Sequence, residues 1–323
     1  MPTSVSGPNE KFLTKEFVIP KIYEIMNPLL AFVDIFPKVQ STARTIAYKK
    51  EKTSDSGDAN KKKPRTLTSS SQFTYVTIDQ MEIKAAVLNK KGFAIKIDQD
   101  AIDFTEGIDE IQRALRKVGF WLAQDYDEQV SAELFANGTA LSTSWGTASV
   151  WSDSSNATPI ADLEDLEDCM LREGYPYRLT DVFMHRTNFK ELKKYLTSID
   201  ITNEKQKEVY GVPTVGLDKM TIPVVGSTIH RLLSGINEGS IIGLDRNNPG
   251  MTIFYNNSPR YSTNTGAYDT VADGSRVRKP YSFGFNFNRY TNPETHEEVL
   301  QFWYDIAPTV IEPYAILTDT EGL

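Results

Sequence analysis

The stretch IDEIQRALRKVGFWLAQDYDEQVSAELFAN, residues 108–137, decides the fold of this chain. Its apolar residues recur at steps of three and four, a spacing that places them on one stripe of an α-helix. The stripe consists of Ile108, Ile111, Leu115, Val118, Leu122, Tyr126, Val130 and Leu134. Thr105 is the predicted N-cap and Asn137-Gly138 the predicted stop. We predict a helix about 45 Å long. The middle of its stripe is expected in the core: Leu115, Val118, Leu122 and Tyr126.

Gly119 lies in the middle of this predicted helix, where glycine costs up to about 1 kcal/mol relative to alanine. A close contact with another element or a slight bend would each explain the residue, and the pattern leaves both open. From the pattern alone, the helix belongs to the core of an α+β domain.

Composition excludes several classes of protein. The chain has 323 residues, of which 40% are hydrophobic and 24% charged, so it can build a core and two domains. No run of about 18 apolar residues exists to span a membrane, and the first residues lack a signal peptide's apolar segment. Cys169 is the only cysteine, so no intrachain disulfide or cysteine-based zinc site can form. The net charge of −8 argues against strong nucleic-acid binding by the chain as a whole.

An apolar segment broken by prolines lies near the N-terminus. Residues 16–40, EFVIPKIYEIMNPLLAFVDIFPKVQ, have a half-helical pattern, and Pro20, Pro28 and Pro37 are predicted to prevent one continuous helix. Such a segment must bury its apolar side chains, among them Ile22 and Leu29. It packs either on its own domain or on a neighbouring subunit, and the sequence leaves both arrangements open.

A long polar tip separates two predicted strands of a hairpin, residues 43–50 and 73–79. Phe73 and Tyr75 belong to an apolar face that needs covering. The tip has an excess of basic residues, among them Lys52, Lys61, Lys62, Lys63 and Arg65. Loops beyond about 12–15 residues are usually functional or disordered. The tip is a solvated face, a partner for acidic protein surface, or a nucleic-acid patch.

Strands are predicted over residues 80–104, with a turn at residues 89–92, and they lead into the long helix. After that helix, residues 138–158 are rich in small polar residues. They are predicted to form a surface crossover anchored by Trp145 and Trp151.

A second module is predicted from Thr158 onward. Thr158 caps a helix that starts at Pro159, residues 181–185 form a strand, and Thr187 caps a second helix. Further strands of a mixed sheet are predicted at residues 214–225, 228–233, 239–245 and 251–256. The chain ends in a long aromatic hairpin, residues 281–290 and 297–311, expected to pack beside the long helix.

No catalytic or nucleotide-binding motif appears in the sequence. We interpret an acidic cluster as solvated helix faces rather than paired catalytic acids: Asp162, Glu164, Asp165, Glu167 and Asp168. His185 is interpreted as a structural histidine, and residues 243–251 as a turn rather than a calcium loop. We predict no catalytic, cofactor-binding or metal-binding residue, no cofactor and no enzyme activity, so function is expected to reside in surfaces.

The order of these pieces resembles the major capsid proteins of tailed double-stranded DNA viruses, the HK97-type fold. EFVIPKIYEIMNPLLAFVDIFPKV is similar to that family's N-terminal arm. AIKIDQDAIDFTEGIDEIQRALRKVGFWLAQDYDEQVSAELFANG is similar to the strand that leads into its spine helix. DVFMHRTNFKELKKYL, with EGSIIGLDRNNPGMTIFYN downstream, resembles its A-domain. The resemblance covers nearly the whole chain and rests on element order.

The resemblance implies an α+β capsid fold with four regions. These are an N-terminal arm at residues 1–42, an extended loop (E-loop) at 43–79, a P-domain at 80–155 and 281–323, and an inserted A-domain at 156–280. It also implies that the arm and the E-loop contact neighbouring subunits. The residues expected in those contacts are Lys52, Lys61, Lys62, Lys63, Arg65, Phe73, Tyr75, Ile22 and Leu29.

The function implied is that of a capsid protein that assembles, through hexamers and pentamers, into an icosahedral shell around double-stranded viral DNA. Its place would be the virion, assembled in the host cytoplasm. Because the arm motif begins near residue 16, scaffolding would come from a separate protein or be unnecessary, and the separate protein is the expectation here. A separate portal is expected as a further partner. Packaged DNA would make weak, non-specific contacts, and no membrane would be involved. Some members of the family crosslink a lysine to a neighbour's asparagine, but no residue match fixes a pair here, so the sequence predicts no such crosslink.

Two alternatives stay open at this point. One is an encapsulin-like shell that encloses protein cargo, although such shells usually have a smaller subunit and a plainer E-loop. The other is a cytosolic α+β enzyme or binding module, which a soluble monomer with a discrete small-molecule pocket would favour.

Overall fold

The computed structural model describes residues 13, 15–26, 28–32, 34–51, 81–98, 108–140, 151, 158–172, 177–198, 214–215, 219–222, 226–232, 234–256, 268–270, 276–278, 286–292 and 297–319. Its helices are α1 (Lys15–Met26), α2 (Ile108–Asn137), α3 (Pro159–Arg172), α4 (Arg186–Ser198) and a 3-10 helix at Pro313–Ala315. Its strands are β1 (Lys38–Gln40), β2 (Thr45–Lys50), β3 (Glu82–Val87), β4 (Asn89–Asp98), β5 (Thr139–Ala140), β6 (Asp181–His185), β7 (Thr214–Val215), β8 (Lys219–Ile222), β9 (Ser227–Leu232), β10 (Ile241–Leu244), β11 (Met251–Asn256), β12 (Tyr268–Thr270), β13 (Arg276–Arg278), β14 (Asn286–Asn292), β15 (Glu297–Val310) and β16 (Ile316–Asp319).

The long helix α2 runs over Ile108–Asn137, the range that the sequence predicts. From Ile111 to Leu134, the apolar stripe is buried throughout. The helix ends where the Gly138 N–H donates to the Leu134 carbonyl at 2.8 Å. The predicted cap Thr105 lies outside the described residues.

The chain divides into two compact units. The first comprises Met1–Ile46, Ala86–Val130 and Thr252–Thr309, and the second comprises Ala47–Ala85, Ser131–Met251 and Val310–Leu323.

The first unit contains most of a five-stranded sheet centred on β15. Strands β4 and β14 both pair antiparallel with β15, and β1 pairs parallel with β11, in the order β1-β11-β15-β14 with β4 on β15. The predicted hairpin of β14 and β15 is therefore confirmed. Tyr304 on β15 contacts Asp125 on α2, so the hairpin also lies beside the long helix as predicted.

The turn predicted at residues 89–92 is wrong, because these residues begin strand β4. Asn89 pairs with Ile306, and Gly92 pairs with Trp303. A Cβ at position 92 would lie 2.3 Å from the Phe302 carbonyl oxygen, so glycine allows a close strand approach there. Turn-forming composition was overridden by long-range pairing.

The strand at residues 251–256 was assigned to the wrong sheet. Strand β11 pairs with β1, with Ile253 opposite Lys38, and lies in the β15 sheet rather than in the mixed sheet of the second module. The residues from Met251 to Tyr255 are all buried. A strand that is buried on both faces has no alternation of polar and apolar residues, so its sequence does not indicate to which sheet it belongs.

The N-terminal segment packs on its own chain. Helix α1 passes through Pro20, which the sequence interpretation had treated as an interruption, and ends at Met26 before Pro28. The side chains of Ile22 and Met26 are fully buried. Within the described arm, packing on the same subunit therefore prevails over the alternative left open by the sequence.

The second unit contains a seven-stranded mixed sheet of order β5-β16-β10-β6-β9-β8-β7. Helix α3 starts at Pro159 and strand β6 spans Asp181–His185, as predicted. Helices α3 and α4 pack with this sheet around one hydrophobic core. The fully buried residues of that core include Leu163, Leu166, Val182, Met184, Leu192 and Ile229.

The predicted cap of α4 is wrong by two residues. The helix starts at Arg186, and the Thr187 N–H donates to the His185 Nδ1 at 3.3 Å. His185 is therefore the capping residue, and its ring nitrogen takes the place of the usual cap oxygen. This contact agrees with the interpretation of His185 as a structural histidine.

Strands β2 and β3 form a separate two-stranded sheet, which we call the ribbon. The sequence interpretation had placed the return strand at residues 73–79, but the strand that pairs with Thr45–Lys50 is Glu82–Val87. Residues 73–79 lie outside the described range. Strands β12 and β13 form a second small pair. None of the helices that the structure describes has the length and apolar character needed to cross a membrane.

Candidate functional site

A cluster of ionisable side chains lies in the second unit, in which Asp181 and His230 are buried and Arg246 is about half exposed. The His230 Nε2 is 2.6 Å from Asp181 Oδ1, and Arg246 binds the same carboxylate through Nη2 at 2.5 Å and Nε at 3.0 Å. The His230 ring stacks on Phe183 with centroids 4.5 Å apart. Burial acts to raise the pKa of Asp181, but hydrogen bonds from His230 and Arg246 outweigh it and lower the pKa.

This cluster joins elements rather than presenting a reactive group. Asp181 begins β6, His230 lies on β9, and Arg246 follows β10. Both Asp181 oxygens are engaged, since Thr180 Oγ1 also donates to Oδ2 at 2.9 Å. No local pattern in the sequence pointed to the cluster, because its members lie on three separate segments. Within the described residues, no three His, Cys, Asp or Glu side chains come together in a way that could hold a metal ion.

The acidic cluster on α3 was interpreted correctly only in part. Glu164, Asp165 and Asp168 are exposed, as solvated faces require. Asp162 is buried, and its Oδ2 accepts a hydrogen bond of 2.7 Å from the indole Nε1 of Trp151. Trp151, one of the two predicted anchors of residues 138–158, is thus buried and bonded to α3, while most of that stretch lies outside the described residues. Trp145 lies outside the described residues.

Asp127 is a buried carboxylate that the sequence interpretation missed. Its Oδ2 accepts a hydrogen bond of 3.2 Å from the Ala31 N–H in the segment after α1. Burial raises the pKa of Asp127 to about 7, although the backbone N–H groups of Ala31 and Phe32 act in the opposite direction. The signal available in the sequence was its position beside Tyr126, at the edge of the buried stripe.

A groove lies in the first unit beside β4, with a cavity volume of about 620 Å³. It is lined by Lys90, Lys91, Gly92, Phe93, Ala94, Trp121, Leu122, Asp125 and Tyr304. Trp121 is 48% exposed and its ring meets Phe93 edge-on, with centroids 5.8 Å apart. We call this surface the aromatic groove; Phe120, which precedes Trp121 on α2, is also exposed.

Polar contacts fix the floor of the aromatic groove. Tyr304 Oη donates to Asp125, Gln129 Nε2 donates to Tyr304 Oη at 2.6 Å, and Lys91 Nζ donates to Asp125 Oδ1 at 3.0 Å. Burial and the neighbouring Asp125 raise the pKa of Tyr304. The exposed rings of the groove are thus held on a rigid base, which suits a binding surface.

The ribbon exposes apolar side chains at alternate positions. Met81, Ile83 and Val87 are 50%, 72% and 46% exposed. Because side chains alternate along a strand, these residues point to one face. Glu82 and Lys84 form an ion pair of 2.9 Å on the other face. We call the first face the ribbon stripe.

The structure describes six of the residues predicted as contacts or core. Ile22 is fully buried within its own chain, which leaves it no surface for a neighbour, and Leu29 is half-buried. The spine residues are all at most 1% exposed: Leu115, Val118, Leu122 and Tyr126. The rest lie outside the described residues: Lys52, Lys61, Lys62, Lys63, Arg65, Phe73 and Tyr75.

Comparison with known proteins gives one family and a set of similar structures. A family model described as phage capsid protein matches residues 82–317. None of the curated proteins searched matches the chain.

Three of the solved structures similar to this chain are the following. A virus-like particle from Pyrococcus furiosus has 14% identity and a TM-score of 0.54, covering 94% of this chain and 99% of that one. A structure from Microbacterium phage Oxtober96 has 12% identity and a TM-score of 0.52, covering 90% and 91%. The holo-SrpI encapsulin complex from Synechococcus elongatus has 11% identity and a TM-score of 0.52, covering 91% and 89%. These likenesses show the fold, which is HK97-like.

Proposed function

Because the chain belongs to the phage capsid protein family, we propose that it is the major capsid protein of a tailed double-stranded DNA virus. Copies assemble through hexamers and pentamers into an icosahedral shell around the DNA, in the host cytoplasm. A separate scaffolding protein and a portal act with it. Capsid-family proteins are structural, so we propose no enzymatic activity.

The observation that carries the proposal is the ribbon stripe. A two-stranded sheet is marginal in water unless another surface covers it. The three residues of the stripe are nevertheless largely exposed: 50% for Met81, 72% for Ile83 and 46% for Val87. A contiguous apolar stripe of this kind marks an interaction surface. A neighbouring copy of the chain supplies the cover in an assembled shell.

The aromatic groove is the surface that we propose receives the ribbon stripe of a neighbouring subunit. Tryptophan and phenylalanine are enriched at the centres of protein interfaces, where they provide rigid apolar area. Trp121 and Phe120 are 48% and 43% exposed. A stripe on one copy that binds a groove on the next is a heterologous contact, and such contacts close into rings and shells.

The regions of the capsid fold follow as proposals. The arm takes residues 1–42, the P-domain takes 80–155 and 281–323, and the A-domain takes 156–280. The E-loop takes 43–79, and its strand β2 pairs with β3, which is the first strand of the P-domain range. Its tip residues Lys52, Lys61, Lys62, Lys63 and Arg65, with Phe73 and Tyr75 on its flank, contact neighbouring subunits. Of the two predicted arm contacts, Ile22 and Leu29, only Leu29 keeps surface available for a neighbour.

Weak contact with packaged DNA follows from the overall charge. The net charge of −8 opposes strong uniform binding, so confinement and a few basic residues hold the DNA. Affinity of the isolated subunit is expected to be salt-sensitive and independent of sequence.

The proposal is tested by placing a carboxylate on each face of the ribbon in turn. Ile83→Glu puts a charge on the ribbon stripe, where burial in an interface would be costly. Lys84→Glu puts the same group on the opposite face and is the matched control. Both positions are exposed, so both variants should fold, as circular dichroism would verify.

We expect Lys84→Glu to form closed particles and Ile83→Glu to remain as smaller species in sedimentation and negative-stain electron microscopy. Normal particles from folded Ile83→Glu would contradict the role of the ribbon stripe. Equal failure of both variants would mean that net charge, and not the apolar face, governs assembly.

An encapsulin-like shell is the second candidate, because the similar structures include an encapsulin complex. The two shells differ in content. A viral shell holds DNA and has a high buoyant density, whereas a cargo shell holds protein. The ratio of ultraviolet absorbance at 260 and 280 nm in purified native particles would separate them.

A further inference from the structure

A patch of positive charge lies on the exposed side of the long helix α2, outside the surfaces that the proposed assembly uses. Arg113, Arg116 and Lys117 are all exposed, and we call these three residues the cationic ridge. The aromatic groove is lined by other residues. The segment from Ile111 to Gln124 contains no aspartate or glutamate, although acidic residues outnumber basic ones in the chain, 43 to 35. The ridge is therefore a local excess of positive charge on an acidic protein.

The described part of the chain supplies no carboxylate that binds the cationic ridge. None of the ion pairs among the residues that the structure describes includes Arg113, Arg116 or Lys117. By contrast, Lys91 and Lys96 on strand β4 are each bound to a carboxylate, at 3.0 Å and 2.7 Å. The cations of the ridge can thus bind an anion without first breaking an ion pair.

The spacing of the three cations favours an anion with several charges. Residues three and four positions apart on a helix are neighbours, with Cβ atoms about 5–6 Å apart, so Arg113 lies beside both Arg116 and Lys117. Like charges at this spacing repel and weaken a helix. The nearest acidic residues along α2 are Asp109 and Glu110 in its first turn, where they complement the helix dipole. A bound polyanion would remove the repulsion among the three cations.

Duplex DNA matches the ridge in the spacing of its charges. It carries one negative charge for about every 1.7 Å of its axis, so the phosphates of each strand lie about 3.4 Å apart along that axis. The ridge extends over about 6 Å of α2, from Arg113 to Lys117. Three long side chains over that distance can contact two or three successive phosphates. Arginine binds phosphate through two N–H groups, and lysine binds it as a point charge.

We propose that the cationic ridge binds the phosphate backbone of duplex DNA and faces the interior of the shell. The inference rests on the proposed function, which supplies both the DNA and the shell. It assigns the weak contact with DNA to three named residues of α2. Because contacts to phosphates do not read the bases, the ridge has no preference for sequence.

The salt dependence of binding measures how many phosphates the ridge neutralises. Each phosphate contact adds about 0.9 to the steepness of the fall of log K with log salt concentration. Three contacts give a slope of about −2.7, so the affinity falls about 40-fold between 50 and 200 mM salt. One copy therefore binds weakly, and many copies around one DNA molecule act together.

The test compares two variants that have the same change in net charge. The ridge variant has glutamine in place of all three residues of the cationic ridge, which keeps a good helix former at each position. The matched control has glutamine in place of three exposed cations of α4: Arg186, Lys190 and Lys194. The probe is a fluorescent duplex of about 30 base pairs and mixed sequence. It is titrated with the full-length subunit between about 50 and 200 mM sodium chloride and followed by fluorescence anisotropy.

We expect the slope to become less steep by about 2–3 in the ridge variant and to stay unchanged in the control. An unchanged slope in the ridge variant would overturn the proposal. Equal losses in both variants would also overturn it, because net charge alone would then set the affinity. If circular dichroism shows that the ridge variant is unfolded, Lys117→Gln alone decides the question, with an expected change in slope of about 0.9.

A footprint on native particles tests the interior position of the ridge. A small acetylating reagent is applied to DNA-filled shells and to opened shells from which nuclease has removed the DNA. Lys117 should be protected in the filled shells and modified in the emptied ones, with Lys194 on α4 as the control. Equal reactivity of Lys117 in both would overturn the inference and leave the proposed function standing. Failure of the native chain to form shells would instead contradict the proposed function.

Discussion

Replacing Gly119 by alanine tests how the N-terminal helix packs on the long helix. The sequence left a close contact and a bend as explanations for a glycine at this position. A Cβ on residue 119 would lie 2.8 Å from Cγ2 and 3.0 Å from Cβ of Ile25, and 3.5 Å from the Ile22 carbonyl oxygen. The close contact is therefore the explanation that the structure favours.

Two opposing effects set the change that Gly119→Ala causes in the free energy of unfolding. In an exposed helix, glycine to alanine raises the free energy of unfolding by about 1 kcal/mol. Here the new methyl group needs Ile25 to move, and overpacking of this kind costs about 1–3 kcal/mol because a β-branched side chain has few alternative rotamers. We expect Gly119→Ala to lower the free energy of unfolding by about 1 kcal/mol, within a range of about 0–2.

Urea unfolding followed by circular dichroism provides the assay, and a second variant provides the control. Ile25→Ala removes the Cγ2 atom that blocks the new methyl group. In that background Gly119→Ala should become neutral or stabilising, so the double-mutant cycle should show a coupling of about 1–2 kcal/mol between the two sites. Stabilisation by Gly119→Ala in the wild-type background, with no coupling to Ile25, would refute the packing explanation.

Four further predictions concern stability, pH and assembly. Leu122→Ala should lower the free energy of unfolding by about 2–5 kcal/mol in urea titrations, whereas Lys117→Ala on the exposed face should change it little; equal effects would mean that the helix face is misassigned. Because burial raises the pKa of Asp127 to about 7, the folded chain holds a proton that the unfolded chain releases from about pH 4 upward. Its stability should therefore fall between those pH values by up to about 1.4 kcal/mol per unit, and Asp127→Asn should flatten that slope. His230→Ala should cost about 1–3 kcal/mol by removing one partner of a buried carboxylate, and an unchanged melting temperature would count against the cluster. Replacement of residues 52–70 by a short Gly-Ser linker should leave a subunit with native circular dichroism that sediments as small species; normal particles would mean that the loop is dispensable.

The elements that the sequence predicts well are those whose evidence is local. The stripe of α2 recurs along almost the whole of the 30-residue helix, so the range of the helix follows directly from the spacing. Pro159 at the first position of α3 and the buried run of Asp181–His185 are equally local signals. By contrast, β11 was assigned to the wrong sheet and residues 89–92 to a turn, because pairing partners far along the chain decided both.

The candidate surfaces were less accessible to sequence reasoning. Exposure of Ile83 depends on what the rest of the fold leaves uncovered, and no local pattern reports it. Trp121 and Phe120 did give a signal, since both fall outside the apolar stripe of α2 and an aromatic residue off the stripe is expected to be exposed.

Cryo-electron microscopy of purified native particles would show both the assembly and the contact between its subunits. We expect closed icosahedral shells that contain DNA, built from hexamers and pentamers, with the ribbon stripe around Ile83 covered by the neighbouring subunit at Trp121. A monomer or a small closed oligomer, or a shell in which the stripe stays exposed to solvent, would contradict this expectation.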